Sequence, residues 1–544
     1  MKSLGATVLC AVLVASLAAQ GGSVVHITVA VTDGAGAPMR LPRYALLISQ
    51  NPSSAAPRRV VTGVDGKVDV RLTPGNYTIE SDEPLILNGK SYSWTRTLDV
   101  GTTDQNVDFT ADDADVEAAT PASSEFLVDS NPSVLLAQWQ NSVIALWTPT
   151  TRASGVVVDR GGFVATSQRA IADATLVEVQ MDRAVKVAGR VLTVDAAADV
   201  AIVAVDPSVT AALDPLPLGC AVTPIPGLRQ GQRLVTIGAP LRGAKEIGTG
   251  VVARVDGAIA AADFRLSEGS IGGPVFSSDG RAIGVSSTVD DEDERRRRDA
   301  RIVPASVICD AIAAAKRVMP RPATSSARLP VEPERAFPAD ALKGVTPTTT
   351  DTLAGYRLST SDFDVTLLTP PVVYGAHRDA RSAAARSVGR TATTPTRDGV
   401  DPTDFGDWSS YFADLPPVLI VRVTPKLAEG FWTTLARGAA YTQGVALPPI
   451  RHFKPGFSKM RLFCGDAELV PIHPFMLAQR VSETDAVHEG LYVFDAQAVG
   501  PQCGAVRIGL YSEKDAGKED RKAFDPKVVQ RVWDDFAPWR SVGP

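Results

Sequence analysis

A serine hydroxyl attacks an acyl bond only when a base poised near neutral pH removes its proton. The chain offers two serines in a setting that suits such chemistry, Ser267 and Ser270. They sit at a tight glycine-rich turn, Gly269-Ser270-Ile271-Gly272-Gly273-Pro274, which feeds the strand-like Val275-Phe276. One carboxylate, Asp199, stands near the start of the apolar run Val200-Ala201-Ile202-Val203-Ala204-Val205. No imidazole joins them. The five histidines are His26, His377, His452, His473 and His488, and none falls within 141–318. Lys186 and Lys245 could serve as bases only after rearrangement. Both serines therefore read as turn residues.

A metal site is not expected. His452, His473 and His488, with Asp466 and Glu468, match no zinc spacing, since zinc ligands come in tighter pairs. They read as scattered surface residues, and His26 as a surface residue of a strand. No cofactor motif is present. Past Cys10, four cysteines remain: Cys220, Cys309, Cys464 and Cys503. Three pairings are open to them, as are four free thiols. The pairs 220–309 and 464–503 would each stay within one domain.

The elements that must position these groups are mostly strands. Between 141 and 318, short β-branched runs alternate with glycine turns. Ser154–Thr166 reads as a hairpin ending in a strand. Val177–Val179 and Val185–Ala188 make a further pair. Gly231–Gly238 and Gly248–Val252 open a second set of strands. The ordered segments TSQRA (166–170), DVAIV (199–203), TIGAP (236–240), GSIGGP (269–274) and RIVPAS (301–306) resemble the HtrA/Deg family of trypsin-like serine proteases. Asp263 also sits at the family's spacing ahead of the nucleophile turn. The resemblance implies a double β-barrel and covers about a third of the chain.

Carried over residue by residue, the resemblance puts the family's catalytic histidine on Arg169, its aspartate on Asp199 and its serine on Ile271. Arginine stays protonated and cannot act as a base. Isoleucine has no heteroatom to attack a carbonyl. The implied protein is a degenerate protease without peptidase activity. The backbone N–H groups of Gly269 and Ile271 fall on the family's oxyanion-hole positions. A buried Asp199 needs a partner. Arg169 is expected to pair with it; the alternative turns Arg169 to solvent and leaves Asp199 to backbone amides.

Around this core the fold is expected to be mainly β. Residues 1–20 read as a signal peptide, with Lys2 before a short apolar core and small residues near 16–19. Residues 22–112 read as a small sandwich in which Val25, Ile27, Val29 and Val31 alternate with polar or small neighbours. Val64-Asp65-Gly66-Lys67-Val68 reads as a tight hairpin. The stretch TGVDGKVDVRLTPGNYTI (62–79) resembles the carboxypeptidase-regulatory-like domains, which implies an Ig-like sandwich. A linker (113–131) precedes the protease-like domain (132–318), which opens with a short helix over 132–140. A second linker (319–345) leads to a β-rich α+β domain (346–544) of no recognisable type. That last domain closes on an amphipathic helix, with Asp525 as N-cap and Pro526 at N1. The run Asp290–Arg298 abuts five acidic residues, Asp290 to Glu294, and four basic ones, Arg295 to Arg298. It reads as an exposed loop, or as a docking loop for a charged partner.

The net charge of −6 gives no sign of a nucleic-acid binder, and no stretch after residue 20 is long and apolar enough for a membrane helix. The expected protein is exported, periplasmic or secreted. It holds a polypeptide or an envelope protein in a disarmed cleft. The competing expectations are a hydrolase with a displaced nucleophile or a site within 346–544, and a purely structural envelope protein.

Overall fold

The computed structural model describes residues 22–541 except 33–35, 54, 119–130, 221–227, 257–258, 265, 289–299, 320–324, 347, 349, 388–402, 430–450, 454–455 and 481–485. The signal-peptide reading, most of the first linker and the charged run at 290–298 lie outside the described residues. The chain divides into two compact units, one over 1–140 with 277–281, the other over 141–276 with 282–544.

In the first unit the strand Ser23–Thr32 alternates buried and half-buried positions along almost its whole length. That is the pattern of a strand with one face on a core. It runs parallel to Gln105–Phe109 and antiparallel to Lys67–Leu72 and Pro38–Arg40. A second sheet orders Arg58–Val61, Ala45–Asn51, Gly75–Ser81 and Thr95–Val100. Val25, Ile27, Leu46, Ile79 and Trp94 share one core. The expected hairpin at Asp65-Gly66 needs correcting. The turn is tight, with Gly66 at φ 73°, but Arg58–Val61 and Lys67–Leu72 pair into different sheets. The turn crosses between sheets because the apolar faces on its two sides are shared with different partners. The helix Pro132–Trp139 falls in this unit, capped by Asn131, and its Val134 joins the same core.

The second unit holds two closed six-stranded barrels. The first closes through Val143–Trp147, Arg152–Asp159, Phe163–Thr166, Val200–Ala204, Lys186–Asp195 and Leu176–Gln180. The second closes through Arg233–Gly238, Glu246–Asp256, Ile259–Ala262, Ala300–Pro304, Ala282–Ser287 and Pro274–Ser277. Closure leaves no free sheet edge. The helix Ala305–Val318 follows, and Cys309 on it bonds Cys220. The second disulfide joins Cys464 and Cys503.

The C-terminal region adds a five-stranded sheet with Val418–Pro425 at its centre and a four-stranded sheet containing Phe457–Cys464 and Val506–Ser512. Its last long helix, Pro526–Asp535, is capped by Asp525 with Pro526 at N1, and it buries Val528, Val529 and Val532. This region and the barrels form one unit. The strand Val143–Trp147 records that in its burial. Ile144 and Leu146 face the barrel core, while Trp147 packs on Trp408, Tyr411 and Phe475. Both faces are apolar because both are covered.

Candidate functional site

The glycine-rich turn depends on its glycines. Gly269 and Gly272 have φ of 86° and 92°, a region L side chains avoid. A side chain at Gly272 would collide with Ser154 O and Thr166 Oγ1, and one at Gly273 with Ile237 O. The turn is clamped to the first barrel. Ser154 N–H donates to Ile271 O at 2.6 Å. Ser154 Oγ donates to Gly269 O at 2.8 Å and accepts from Ala239 N–H at 2.8 Å. The clamp turns the Ile271 side chain onto the apolar core of the first barrel, where it is partly buried.

Asp199 is fully buried and adopts φ 59°, a conformation Asp tolerates better than most residues. Its Oδ1 accepts from Ser167 Oγ at 2.8 Å and from Arg169 N–H at 3.0 Å. Its Oδ2 accepts from Ser287 Oγ. Arg169 Nη1 stands 3.5 Å from Oδ2 with its side chain 24% exposed. The carboxylate is thus satisfied by two hydroxyls and one amide at hydrogen-bond distance, and the guanidinium adds a longer ionic contact. Ser167 lies two residues before Arg169 and was in view in the sequence. Ser287 belongs to the second barrel, 88 residues from Asp199, and no local signal marks it.

Removing this acceptor takes the partner from the Arg169 N–H and leaves the Ser167 and Ser287 hydroxyls, 2.6 Å apart, with only each other among the described residues. Asp199→Ala is expected to cost about 1–3 kcal/mol, with the left-handed backbone adding to the loss. The denaturant midpoint of the purified protein checks this. An unchanged midpoint would mean that the hydroxyl cage around Asp199 contributes nothing.

Among the described residues, neither alternative nucleophile bonds a lysine or an imidazole. Ser267 Oγ and Ser270 Oγ lie 2.9 Å apart, and both bond Glu246 Oε2. Ser270 is buried. Lys186 Nζ is engaged elsewhere, by Glu178 at 3.2 Å and by Ile472 O. Lys245 Nζ donates to Val143 O, and burial pushes its pKa down to about 8. Neither lysine reaches either serine. Asp263 accepts the Val251 N–H at 2.6 Å and steadies the second barrel.

The reading of His473 as a surface residue is overturned. It is buried, at 1% exposure, because its strand His473–Arg480 lies against the first barrel. Its Nδ1 is 2.7 Å from Glu178 Oε2, and its ring lies between Trp147 and Phe475. Burial pulls its pKa below the ordinary histidine value, with the Glu178 carboxylate opposing. Burial works against the Glu178 charge, yet His473 and Lys186 hold that carboxyl below its usual range. His488 is half-buried and pairs with Glu513, and the His452 side chain lies outside the described residues. Among the described residues, no group of three His, Cys, Asp or Glu could hold a metal ion.

Two closed barrels with a glycine turn clamped between them define a trypsin-like peptidase fold. A family model described as a trypsin-like peptidase domain matches residues 153–285. Among solved structures, the chain is similar to the serine endoprotease from Yersinia pestis. The identity is 18%, the match covers 35% of this chain and 68% of that one, and the TM-score is 0.30. No curated protein matches.

Proposed function

We propose that this chain is an exported, catalytically inactive homologue of trypsin-like proteases that binds or scaffolds polypeptide partners of the cell envelope. In this reading Arg169, Asp199 and Ile271 are the remnants of a Ser-His-Asp triad, and residues 22–112 are a carboxypeptidase-regulatory-like module. The observation that carries it is what surrounds Asp199: two serine hydroxyls, an amide and an arginine, with no imidazole among the described residues. A hydroxyl needs a base as well as a carboxylate behind it, and loss of the triad leaves only a residual effect from binding and oxyanion contacts. The Gly269 and Ile271 N–H groups are the donors we assign to a bound carbonyl. The disulfides Cys220–Cys309 and Cys464–Cys503 are consistent with an oxidising, extracytoplasmic compartment.

Purified mature protein is expected to leave unfolded casein uncleaved while binding it reversibly, as read by fluorescence anisotropy of the labelled chain. Cleavage that a serine reagent blocks would overturn the inactive reading. Intact casein with no binding at all would remove the polypeptide-binding half and leave a structural role.

A further inference from the structure

The loops beside the glycine-rich turn are held by residues of the C-terminal region more than 150 positions away. Arg152, at the start of a first-barrel strand, lies against the turn: a Cβ placed on Gly269 would come within 3.0 Å of Arg152 Cδ. The Arg152 side chain is only 3% exposed, and its Nη2 bonds both Glu268 Oε2 of the turn and Ser410 Oγ at 2.6 Å. On the other side, Pro240 O approaches the same Gly269 position to 2.9 Å. Two residues on, Arg242 donates to Tyr411 O and to Asp414 Oδ2 at 2.8 Å, and stacks over the Tyr411 ring at 4.7 Å. Arg242 and the Tyr411 hydroxyl also share Glu332. Trp408, Tyr411 and Phe412 are buried, whereas Ser409, Ser410, Ala413 and Asp414 remain exposed.

The geometry points to a built-in cap: residues 406–414 are fixed by Arg152 and Arg242 over one flank of the glycine-rich turn, so that an extended polypeptide cannot run across the turn on that side. This deepens the proposed function and rests on the turn lying in the polypeptide-facing groove. The cap narrows the class of partner to a chain that approaches from the opposite flank. Two arginines on separate loops make the closure cooperative. Each guanidinium bridges the cap to a residue of the barrels or of the segment after them, so releasing one loosens contacts on both sides. Gly269 and Ile271 N–H have no acceptor among the described residues, and Gly269 is buried. Protection of those amides therefore depends on the side chains that cover them.

Hydrogen–deuterium exchange on the full chain tests the cap. In Arg242→Ala, peptides spanning 406–414 and 266–273 are both expected to exchange at least about tenfold faster, as for local opening, while Val418–Pro425 is unchanged. Acceleration confined to 406–414, or none in either segment, would overturn the cap. If Arg242→Ala loses its near-ultraviolet circular dichroism, Ser410→Ala, which removes only the bond to Arg152, is read in the same way. Exchange alone decides the cap, and casein binding alone decides the polypeptide reading, so failure of one is distinguishable from failure of the other.

Discussion

The double variant Arg169→His with Ile271→Ser is expected to hydrolyse small activated esters at least about 100-fold faster than either single variant, the scale of one positioned acid–base group. Asp199 already bonds the backbone N–H of position 169 at 3.0 Å, so a histidine there would start its turn in the right place beside the carboxylate. The turn that would present a serine at 271 is held by Ser154 through two hydrogen bonds, N–H to Ile271 O and Oγ to Gly269 O. Both glycines keep the backbone the turn needs. Each single variant should remain inactive, because base and nucleophile act as a unit. A small ester is the substrate to use, since it does not have to pass the proposed cap. Ile271→Ser also removes an apolar side chain from the first-barrel core, so folding is verified before rates are compared. A folded double variant without activity would mean that the groove has diverged beyond its triad positions, and weight would move to a structural role.

Arg422→Leu is expected to cost about 3–5 kcal/mol, the scale of breaking a buried pair from one side. Arg422 lies on the central strand of the five-stranded sheet, 1% exposed, and donates from Nη2 and Nε to Glu489 Oε2 at 2.7 and 3.1 Å. Its Nη1 reaches Asp404 O at 2.5 Å. Glu489 is fully buried, and its Oε1 has no partner among the described residues. Burial already raises its pKa, with Arg422 opposing. Without the arginine the carboxyl is driven further toward its protonated form. A folded-state pKa above the unfolded value contributes stability below the unfolded pKa and loses it as pH rises. The deficit of Arg422→Leu should therefore be smaller in mild acid than at alkaline pH. Arg422→Leu with Glu489→Leu should recover much of the loss, since no charge is left buried. Urea midpoints of the three variants check both statements. A deficit independent of pH would show that Glu489 is not the stranded group.

The sequence disclosed those features that local pattern controls. The barrel strands announce themselves as short β-branched runs between glycines, the turn by its four glycine and proline positions, and the closing helix by Asp525-Pro526. What it concealed depends on pairings between distant residues. Ser287 meets Asp199 across 88 positions, Ser410 meets Arg152 across 258, and His473 meets Glu178 across 295. No periodicity encodes such contacts. His473 reads as a surface residue when it is judged by residue type and ligand spacing alone; its apolar neighbours Ile472, Phe475 and Met476 mark a segment to be buried, but not the layer that will cover it. Trp147 did carry a hint. A large aromatic on the outward face of a barrel strand needs a cover, and the C-terminal sheet supplies it. The Asp65-Gly66 turn was legible as a turn, but not which sheet each flanking strand would join.

The proposed inactivity of the barrels is tested most directly by a fluorophosphonate probe on the full-length mature chain, read by intact mass and by peptide mapping. The account predicts no adduct on the wild-type protein under conditions that label the Arg169→His, Ile271→Ser variant at position 271. A stoichiometric adduct on wild-type Ser267 or Ser270 would contradict it, because it would show a nucleophile with a working base where Glu246 alone now holds both hydroxyls.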